Sequence, residues 1–253
     1  MISRSTGSGN AERVDCPDWL PDATDITRFL AEHRGIYRFH KPRYQLQLLR
    51  DLATLLPGGE CRVLDIGAGS GLLAQAVASL FPGKTVVALD VAPRPLPTLR
   101  IPYQKFDGSH LPFDDSTFDC ALFCNVLHHV HPDLRLGLLN DALRVTGGGP
   151  IVIKDHLAES ALDRGRLAWL DLVGNLLSGG IVSAVYLGRR DWEGLFRKLR
   201  CEAEMRIGSP YRTGISSILF PNRLEVCFRV TARSPPQPQS IDQIPPRSAR
   251  PAS

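Results

Sequence analysis

Val63-Leu-Asp-Ile-Gly-Ala-Gly-Ser-Gly-Leu72 combines an apolar run, a carboxylate and three closely spaced glycines. The apolar run predicts a short buried strand over Cys61–Ile66, and the apolar spacing that follows predicts a helix over Ser70–Phe81. The glycines therefore lie in a strand-to-helix turn, where glycine permits positive φ and lets a ligand approach the backbone closely. The stretch predicts an α/β fold with a ligand site at this turn.

Gly67, Gly69 and Gly71 also suit a dinucleotide fold, but that fold places a third glycine or alanine where Leu72 stands. Asp65 would repel the phosphates of a dinucleotide. S-Adenosylmethionine has no phosphate, and its sulfonium and ammonium suit a nearby carboxylate, while N–H groups of the turn could donate to its own carboxylate. The charges therefore favour S-adenosylmethionine over NAD.

Acids also follow the next two predicted strands. Lys84–Leu89 predicts a second strand that leads to Asp90, 19 residues after Gly71, close to the interval expected for an acid that binds ribose hydroxyls. Ile101–Phe106 predicts a third strand, and Asp107 after it is placed to accept the adenine amino group. An isolated acid is most often a solvated loop residue. Three acids at successive strand ends indicate a single nucleoside site.

The order of these motifs resembles that of the class I S-adenosylmethionine-dependent methyltransferases, specifically the type 11 group of small-molecule enzymes. The resemblance covers about residues 45–156, because Thr117–Val130 resembles the fourth strand and the segment after it, and Arg144–Ile153 resembles the fifth strand. It implies a Rossmann-like, doubly wound α/β fold. The expected sheet is mostly parallel and seven-stranded, with an antiparallel last strand and helices on both faces.

The resemblance also implies the cofactor-binding residues. They are Asp65, Gly67, Ala68, Gly69 and Gly71 around the methionine portion, Asp90 and Val91 at the ribose, Asp107 and Gly108 at the adenine, and Asn125 and Val126 closing the pocket. One segment departs from the family. Prolines at 93, 95 and 97 interrupt the helix expected after the second strand, so this crossover is predicted to be short or irregular.

With 253 residues and 43% apolar composition, the chain predicts one methyltransferase-like domain over 15–231. Residues 1–14 and the Pro/Arg-rich tail 232–253 have little to bury and are expected to be disordered. Apolar periodicity predicts further elements: helices over Asp133–Val145 and Arg190–Arg200, and strands over Cys201–Ile207 and Leu224–Val230.

Histidines follow the fourth and fifth predicted strands. If the methyl acceptor is a hydroxyl, a base must take its proton, and His128, His129 and His156 are the candidates, with Asp155 as the orienting partner. The alternative is that these histidines only cap loops or bond the backbone. No metal is expected, because adjacent histidines such as His128 and His129 rarely converge with His131 on one zinc ion.

Residues 167–187 form the most apolar stretch and approach the length of a bilayer span. Asp171, Asn175 and the Gly179-Gly180 pair argue against stable membrane insertion, since an acid near the middle is costly there. The segment 157–188 is predicted to be an insertion that forms a lid over an apolar, aromatic or lipid-like small-molecule acceptor. Ordinary packing against the sheet is the alternative.

The net charge of +4 owes much to arginines of the tail, and no basic stripe with interleaved aromatics predicts nucleic-acid binding. The first residues lack the apolar core of a secretion signal, and the six cysteines include no CxxC pair, so a cytoplasmic location is expected. Two other functions stay open: a nicotinamide-dependent oxidoreductase, and a regulatory protein that binds S-adenosylmethionine without turnover. The oligomeric state is undetermined.

Overall fold

The computed structural model describes residues 2–4, 19–20, 22–34, 42–178 and 184–233, with the backbone alone for 2–4 and 173–178. The strands in these ranges are β1 (Ile2–Arg4), β2 (Cys61–Ile66), β3 (Lys84–Asp90), β4 (Tyr103–Lys105), β5 (Cys120–Cys124), β6 (Ile151–His156), β7 (Cys201–Ile207) and β8 (Glu225–Ala232). The helices are α1 (Ala23–His33), α2 (Arg43–Leu55), α3 (Leu72–Leu80), α4 (Pro132–Val145), α5 (Ala161–Ser178), α6 (Arg189–Lys198) and α7 (Ile215–Leu219), and a 3₁₀ turn over Asn222–Leu224 precedes β8.

The strands form one sheet in the order β1-β7-β8-β6-β5-β2-β3-β4. Strand β8 is antiparallel to both of its neighbours, and the other pairs are parallel. This confirms the predicted Rossmann-like, doubly wound α/β fold with an antiparallel last strand. The seven predicted strands gain an eighth, β1, at one edge.

Strand β1 lies in the segment 1–14, for which the composition predicts disorder, so that prediction was wrong for residues 2–4. Ile2 pairs with Ala203 and Arg4 with Met205, both in β7. Without β1, the outer edge of β7 would expose a row of unpaired N–H and C=O groups. Backbone pairing needs no apolar side chains, which is why composition did not reveal it.

Both faces of the sheet are covered, as expected for parallel strands. Side chains alternate along β2: Leu64 and Ile66 pack in the cluster with α4 and α6, whereas Cys61 and Val63 pack in the cluster with α1, α2 and α3. The helices α1 and α2 were not predicted. They matter for function because they cover the sheet next to the glycine turn.

The structure shortens the third predicted strand. Strand β4 covers three residues rather than Ile101–Phe106, because it is an edge strand preceded by Pro102, which has no N–H to donate. Helix α5 begins at Ala161 and its assigned part ends before residues 179–183, which lie outside the described residues together with most of the predicted tail. None of the helices in the described ranges is long and apolar enough to cross a membrane.

Candidate cofactor and acid–base site

The carboxyl ends of β2 to β6 meet at one edge of the sheet, and the predicted cofactor residues follow these ends. A cavity of about 210 Å³ lies there between the glycine turn, α1 and α2. Its lining includes Leu30 of α1, Tyr44 and Leu48 of α2, Asp65 of β2, and Asn125 after β5. The fold therefore groups Asp65 and Asn125 around one cavity.

The glycines of the turn have left-handed φ values of 79° at Gly67, 57° at Gly69 and 73° at Gly71. A Cβ at Gly67 would lie 2.4 Å from Val126 Cγ2, and one at Gly71 would lie 2.8 Å from Leu99 Cδ1. The turn therefore requires glycine both for its backbone conformation and for close approach of its neighbours.

The N–H groups of this turn already have acceptors within the protein. Those of Gly67 and Ala68 donate to the Leu89 carbonyl at 2.8 and 2.9 Å, and that of Gly71 donates to the Ala68 carbonyl at 2.8 Å. The Gly69 N–H donates to Asp90. These four N–H groups are thus engaged within the protein, and the expected contact between the turn and the methionine carboxylate stays a prediction. The turn supplies a backbone surface that a ligand can approach.

Asp65 is buried at the wall of the cavity, and its Oδ1 atom has no hydrogen-bond partner among the residues that the structure describes. Burial, together with the negative charge of Asp90, raises the pKa of the Asp65 carboxyl to about 7. A buried oxygen without a partner is costly unless a ligand completes its hydrogen bonding. An ammonium group in the cavity would do so and would also favour the ionised carboxylate.

Asp90 occupies the end of β3 and binds the backbone on both sides. Its Oδ2 atom accepts from the Gly69 N–H at 2.8 Å, and its Oδ1 atom accepts from the Ala92 N–H at 2.9 Å. Each carboxylate oxygen can accept a second hydrogen bond. The acid is therefore held in a fixed orientation and keeps acceptor capacity for ribose hydroxyls.

Asp107 is exposed, and its Oδ1 atom accepts from the Ser109 and His110 N–H groups at 2.8 and 2.9 Å. These backbone hydrogen bonds, that of His110 first, lower the pKa of Asp107. Next to it, a Cβ at Gly108 would lie 3.1 Å from Val91 Cγ1. An exposed valine beside a glycine leaves a small apolar surface, which suits the face of a purine ring.

The Pro-rich crossover between β3 and β4 contains no helix, as predicted, and folds back onto the glycine turn. The Leu96 N–H donates to the Ser70 carbonyl at 3.0 Å, and the Tyr103 hydroxyl donates to the Gly69 carbonyl at 2.7 Å. Tyr103 was not predicted as a site residue. Its contact with Gly69 brings it to the adenosine side of the turn.

Asn125 follows β5 with φ of 56° and joins a buried polar network. Its Oδ1 atom accepts from Lys154 Nζ at 2.8 Å, and its Nδ2 group donates to the Tyr44 hydroxyl at 3.2 Å. Lys154 forms an ion pair with Glu225 in which both side chains are fully buried, and Arg212 donates to the other Glu225 oxygen at 2.5 Å. The network holds Asn125 and Tyr44 against the cavity.

Of this network, Asn125 alone was predicted as a site residue. Glu225 begins β8 and is buried, because α2 covers that face of the strand. The signal that could have revealed the network is Lys154, a cation within the otherwise apolar run Ile151–Ile153. A charge in such a strand requires a buried partner.

His128 is the best defined of the predicted acid–base residues. It is buried, and its Nδ1 atom lies 2.5 Å from Asp155 Oδ1, while its Nε2 atom lies 3.4 Å from Asp171 Oδ2 on α5. Asp155 also accepts from the Leu127 N–H at 3.0 Å, and Asp171 accepts from the Tyr186 hydroxyl. The predicted orienting role of Asp155 agrees with this geometry.

The two acids determine the protonation of His128. Burial disfavours the charged imidazole, but the charge and hydrogen bond of Asp155, with those of Asp171, outweigh it and raise the pKa of His128 to about 9. For Asp155, burial is outweighed by the charge and hydrogen bond of His128, which lower its pKa to about 2. At neutral pH the pair is therefore an imidazolium and a carboxylate.

The other histidines have different surroundings. His129 stacks near the His128 ring, with centroids 4.0 Å apart, and His156 Nδ1 lies 3.3 Å from Glu225. His131 is exposed beside Asp133, so it does not join His128. None of these residues lines the cavity that contains Asp65.

A metal ion is sterically conceivable in part of this cluster. His128, His156 and Asp171 each offer a ligand atom within 4.8 Å of the others. A protonated His128 between Asp155 and Asp171 accounts for the ion pairs of His128 without a metal, while His128 Nε2 and His156 Nδ1 lack a hydrogen-bond partner among the described residues.

The strand order, the glycine turn and the acids at the ends of β2 and β3 define a class I methyltransferase fold. Residues 64–153 match the family model described as a methyltransferase domain, of the type 11 group. This stretch, 90 of the 253 residues, is similar to methyltransferase domains whose cofactor is S-adenosylmethionine. The partnerless Asp65 oxygen and the unfilled acceptor capacity of Asp90 fit the ammonium and the ribose of that cofactor.

Comparisons with individual known proteins also find methyltransferases. Methyltransferase str2 of Strobilurus tenacellus is 33% identical over 140 residues, 54% of this chain and 47% of that protein. A ubiquinone biosynthesis O-methyltransferase of Cereibacter sphaeroides is 38% identical over 90 residues, 32% of this chain and 36% of that protein. The chain thus spans less than half the length of these curated relatives. A solved methyltransferase structure from Thermotoga maritima has a TM-score of 0.56 at 21% identity and covers 84% of this chain and all of that one.

Proposed function

We propose that this protein transfers a methyl group from S-adenosylmethionine to a small organic acceptor. The observation that carries the proposal is the Asp65 oxygen, which is buried beside a cavity and has no partner within the described part of the chain. A cationic ligand without phosphates is the chemistry that this oxygen favours. The same oxygen argues against a nicotinamide dinucleotide.

Bound S-adenosylmethionine would supply an electrophilic methyl group on a sulfonium. Asp65 would hold the ammonium, and Asp90, kept in place by Gly69 and Ala92, would bind the ribose hydroxyls. Asp107 would accept from the adenine amino group, with Val91 and Gly108 against the ring. Because the leaving group is neutral, alignment of donor and acceptor supplies most of the acceleration.

The acid–base residues of the proposal are His128 and Asp155, supported by His129 and His156. For a hydroxyl acceptor, the deprotonated His128 would take the proton at Nε2, while Asp155 holds Nδ1. Asp171 faces the same nitrogen at 3.4 Å and would have to give way to the acceptor. Such a shift would involve α5, which belongs to the predicted lid.

The acceptor class proposed is apolar or lipid-like. Leu30, Leu48, Leu49, Leu72 and Leu73 all line the cavity. The name of the ubiquinone biosynthesis relative is compatible with a small-molecule acceptor of that kind.

The proposal also includes a single domain over 15–231, a lid over 157–188 and a cytoplasmic location. A reducing compartment suits the free thiols, which are those of Cys61, Cys120, Cys124, Cys201 and Cys227.

The test measures whether the protein transfers a methyl group. The protein is incubated with methyl-labelled S-adenosylmethionine and fractionated cell extract, and the labelled product is isolated. We expect label in an organic-soluble small molecule, and loss of that label in an Asp90→Ala variant. Cofactor binding without label transfer to any fraction would instead identify a regulatory binding protein.

A further inference from the structure

Helix α5 has an apolar outer face. The exposed residues of its described part are Ala161, Leu162, Arg164, Gly165, Ala168, Trp169 and Leu172, of which Arg164 alone is polar. The side chains of Leu162 and Trp169 are 64% and 60% exposed. The polar residues Asp163, Arg166 and Asp171 instead lie toward the protein. This arrangement is the reverse of an ordinary surface helix.

Helix α7 also exposes apolar side chains. Ile215 and Ile218 are 76% and 71% exposed, and Leu219 is exposed as well. The turn after α7 is tied to α5, because Arg223 donates to both carboxylate oxygens of Asp163 at 2.8 and 2.7 Å. We call Leu162, Trp169, Leu172, Ile215, Ile218 and Leu219 the apolar face.

Cations flank the apolar face. Arg164 is exposed on α5, and the Arg223 side chain is half-exposed beside it. Near α7, the exposed Arg43 donates to Thr213 at 2.5 Å. Of the two acids in the described part of α5, Asp163 is buried under Arg223 and Asp171 faces His128. Glu159 is exposed and accepts from the Arg189 N–H. The three arginines therefore outnumber Glu159 at this rim.

We propose that the apolar face docks on an anionic lipid surface. Tryptophan and leucine on a helix that lies flat, with arginines at its rim, match the chemistry of the headgroup boundary. A second copy is a poorer occupant, because a two-fold contact would bring like-charged rims together. Docking would deliver an apolar acceptor to α5, whose inner side contacts His128. That last point rests on the proposed function, whereas lipid binding does not.

The experiment is co-sedimentation of the full chain with vesicles of pure phosphatidylcholine, or with about one-third phosphatidylglycerol. We expect at least about tenfold stronger partition to the anionic vesicles, weakened by salt. Leu162→Ser/Trp169→Ser and Ile215→Ser/Ile218→Ser should each lower it about tenfold or more. Arg43→Gln/Arg164→Gln should remove the preference for anionic lipid. Leu134→Ser, an exposed leucine on α4, is the matched control and should bind as the parent does.

Three results would overturn the proposal. The first is equal vesicle binding by the parent and the serine variants. The second is a dimer of the parent in sedimentation velocity that the serine variants dissociate. The third is a large fall in the Tm of the serine variants, which would mean that the chain itself covers the apolar face. Calorimetric binding of S-adenosylhomocysteine is measured in parallel. If S-adenosylhomocysteine does not bind, the result counts against the proposed methyl transfer. The vesicle experiment still tests by itself whether the apolar face binds lipid.

Discussion

A carboxylate oxygen of Asp90 accepts the Gly69 N–H at 2.8 Å, which joins the acid at the end of β3 to the middle of the glycine turn. The acid that would bind the ribose therefore also fixes the backbone beside the methionine portion. Cofactor binding and the shape of the turn depend on the same carboxylate.

Asp90→Ala should weaken binding of S-adenosylhomocysteine by about 10- to 100-fold, because hydrogen bonds to a charged group contribute about 1.5–3 kcal/mol. Isothermal titration calorimetry measures the change. Glu202→Ala, an exposed acid on β7, is the control and should bind normally. Unchanged affinity in Asp90→Ala would contradict the assignment of the ribose site.

The raised pKa of Asp65 predicts opposite pH dependences for the stability of the protein and for its binding of the cofactor. Its pKa in the folded protein is about 7, above the ordinary aspartate value of 3.8, so its contribution to stability is present below pH 4 and is lost as the pH rises through 7. The cofactor's ammonium needs the ionised form, so affinity should fall as the pH drops below 7.

Asp65→Asn should remove both trends. Chemical denaturation of the ligand-free protein between pH 5 and 8 checks the first, and calorimetry with S-adenosylmethionine checks the second. A parent protein whose affinity is flat across this range would refute the proposed contact with the ammonium.

His128 should govern turnover of a hydroxyl acceptor. Since its pKa is raised to about 9, the neutral base becomes more abundant as the pH rises toward 9, and the rate should rise with it. His128→Asn should lower kcat by about 10²- to 10⁴-fold and abolish this rise while cofactor affinity is kept. His131→Asn, on the surface, should change neither. Equal pH profiles for the parent and His128→Asn would exclude His128 as the base.

Gly67→Ala should destabilise the protein by about 1–3 kcal/mol and weaken cofactor binding, because φ is 79° and Val126 is too close for a Cβ. Val126→Ala in the same chain should restore part of the stability, since it relieves the contact and not the backbone strain. The control is Gly137→Ala on exposed α4, where nothing lies within 4 Å and alanine should stabilise by about 0.5–1 kcal/mol. Thermal unfolding with and without cofactor would measure these effects. A Gly67→Ala protein as stable as the parent would contradict the expected backbone strain and steric clash at this position.

The mostly parallel sheet could be predicted because the alternation of strands and helices depends on local pattern. Continuous apolar runs mark strands that are buried on both faces, and Asp65, the glycines and Asp90 follow such runs in sequence. Parallel strands end at one edge, so residues after different strands must converge. Asp155 beside His128 follows from the same rule.

The tertiary structure alone determined which distant side chains contact the residues at the ends of these strands. Tyr44, Lys154 and Glu225 come from α2, β6 and β8, which are far apart in the chain, and the burial of Glu225 depends on α2 crossing over β8. Asp171 reaches His128 from α5 in the same way. Local periodicity reports which face of an element is apolar. It cannot report which distant element covers that face. Burial by such elements raises the pKa of Asp65, and the carboxylates that the fold brings to His128 raise its pKa against the effect of burial.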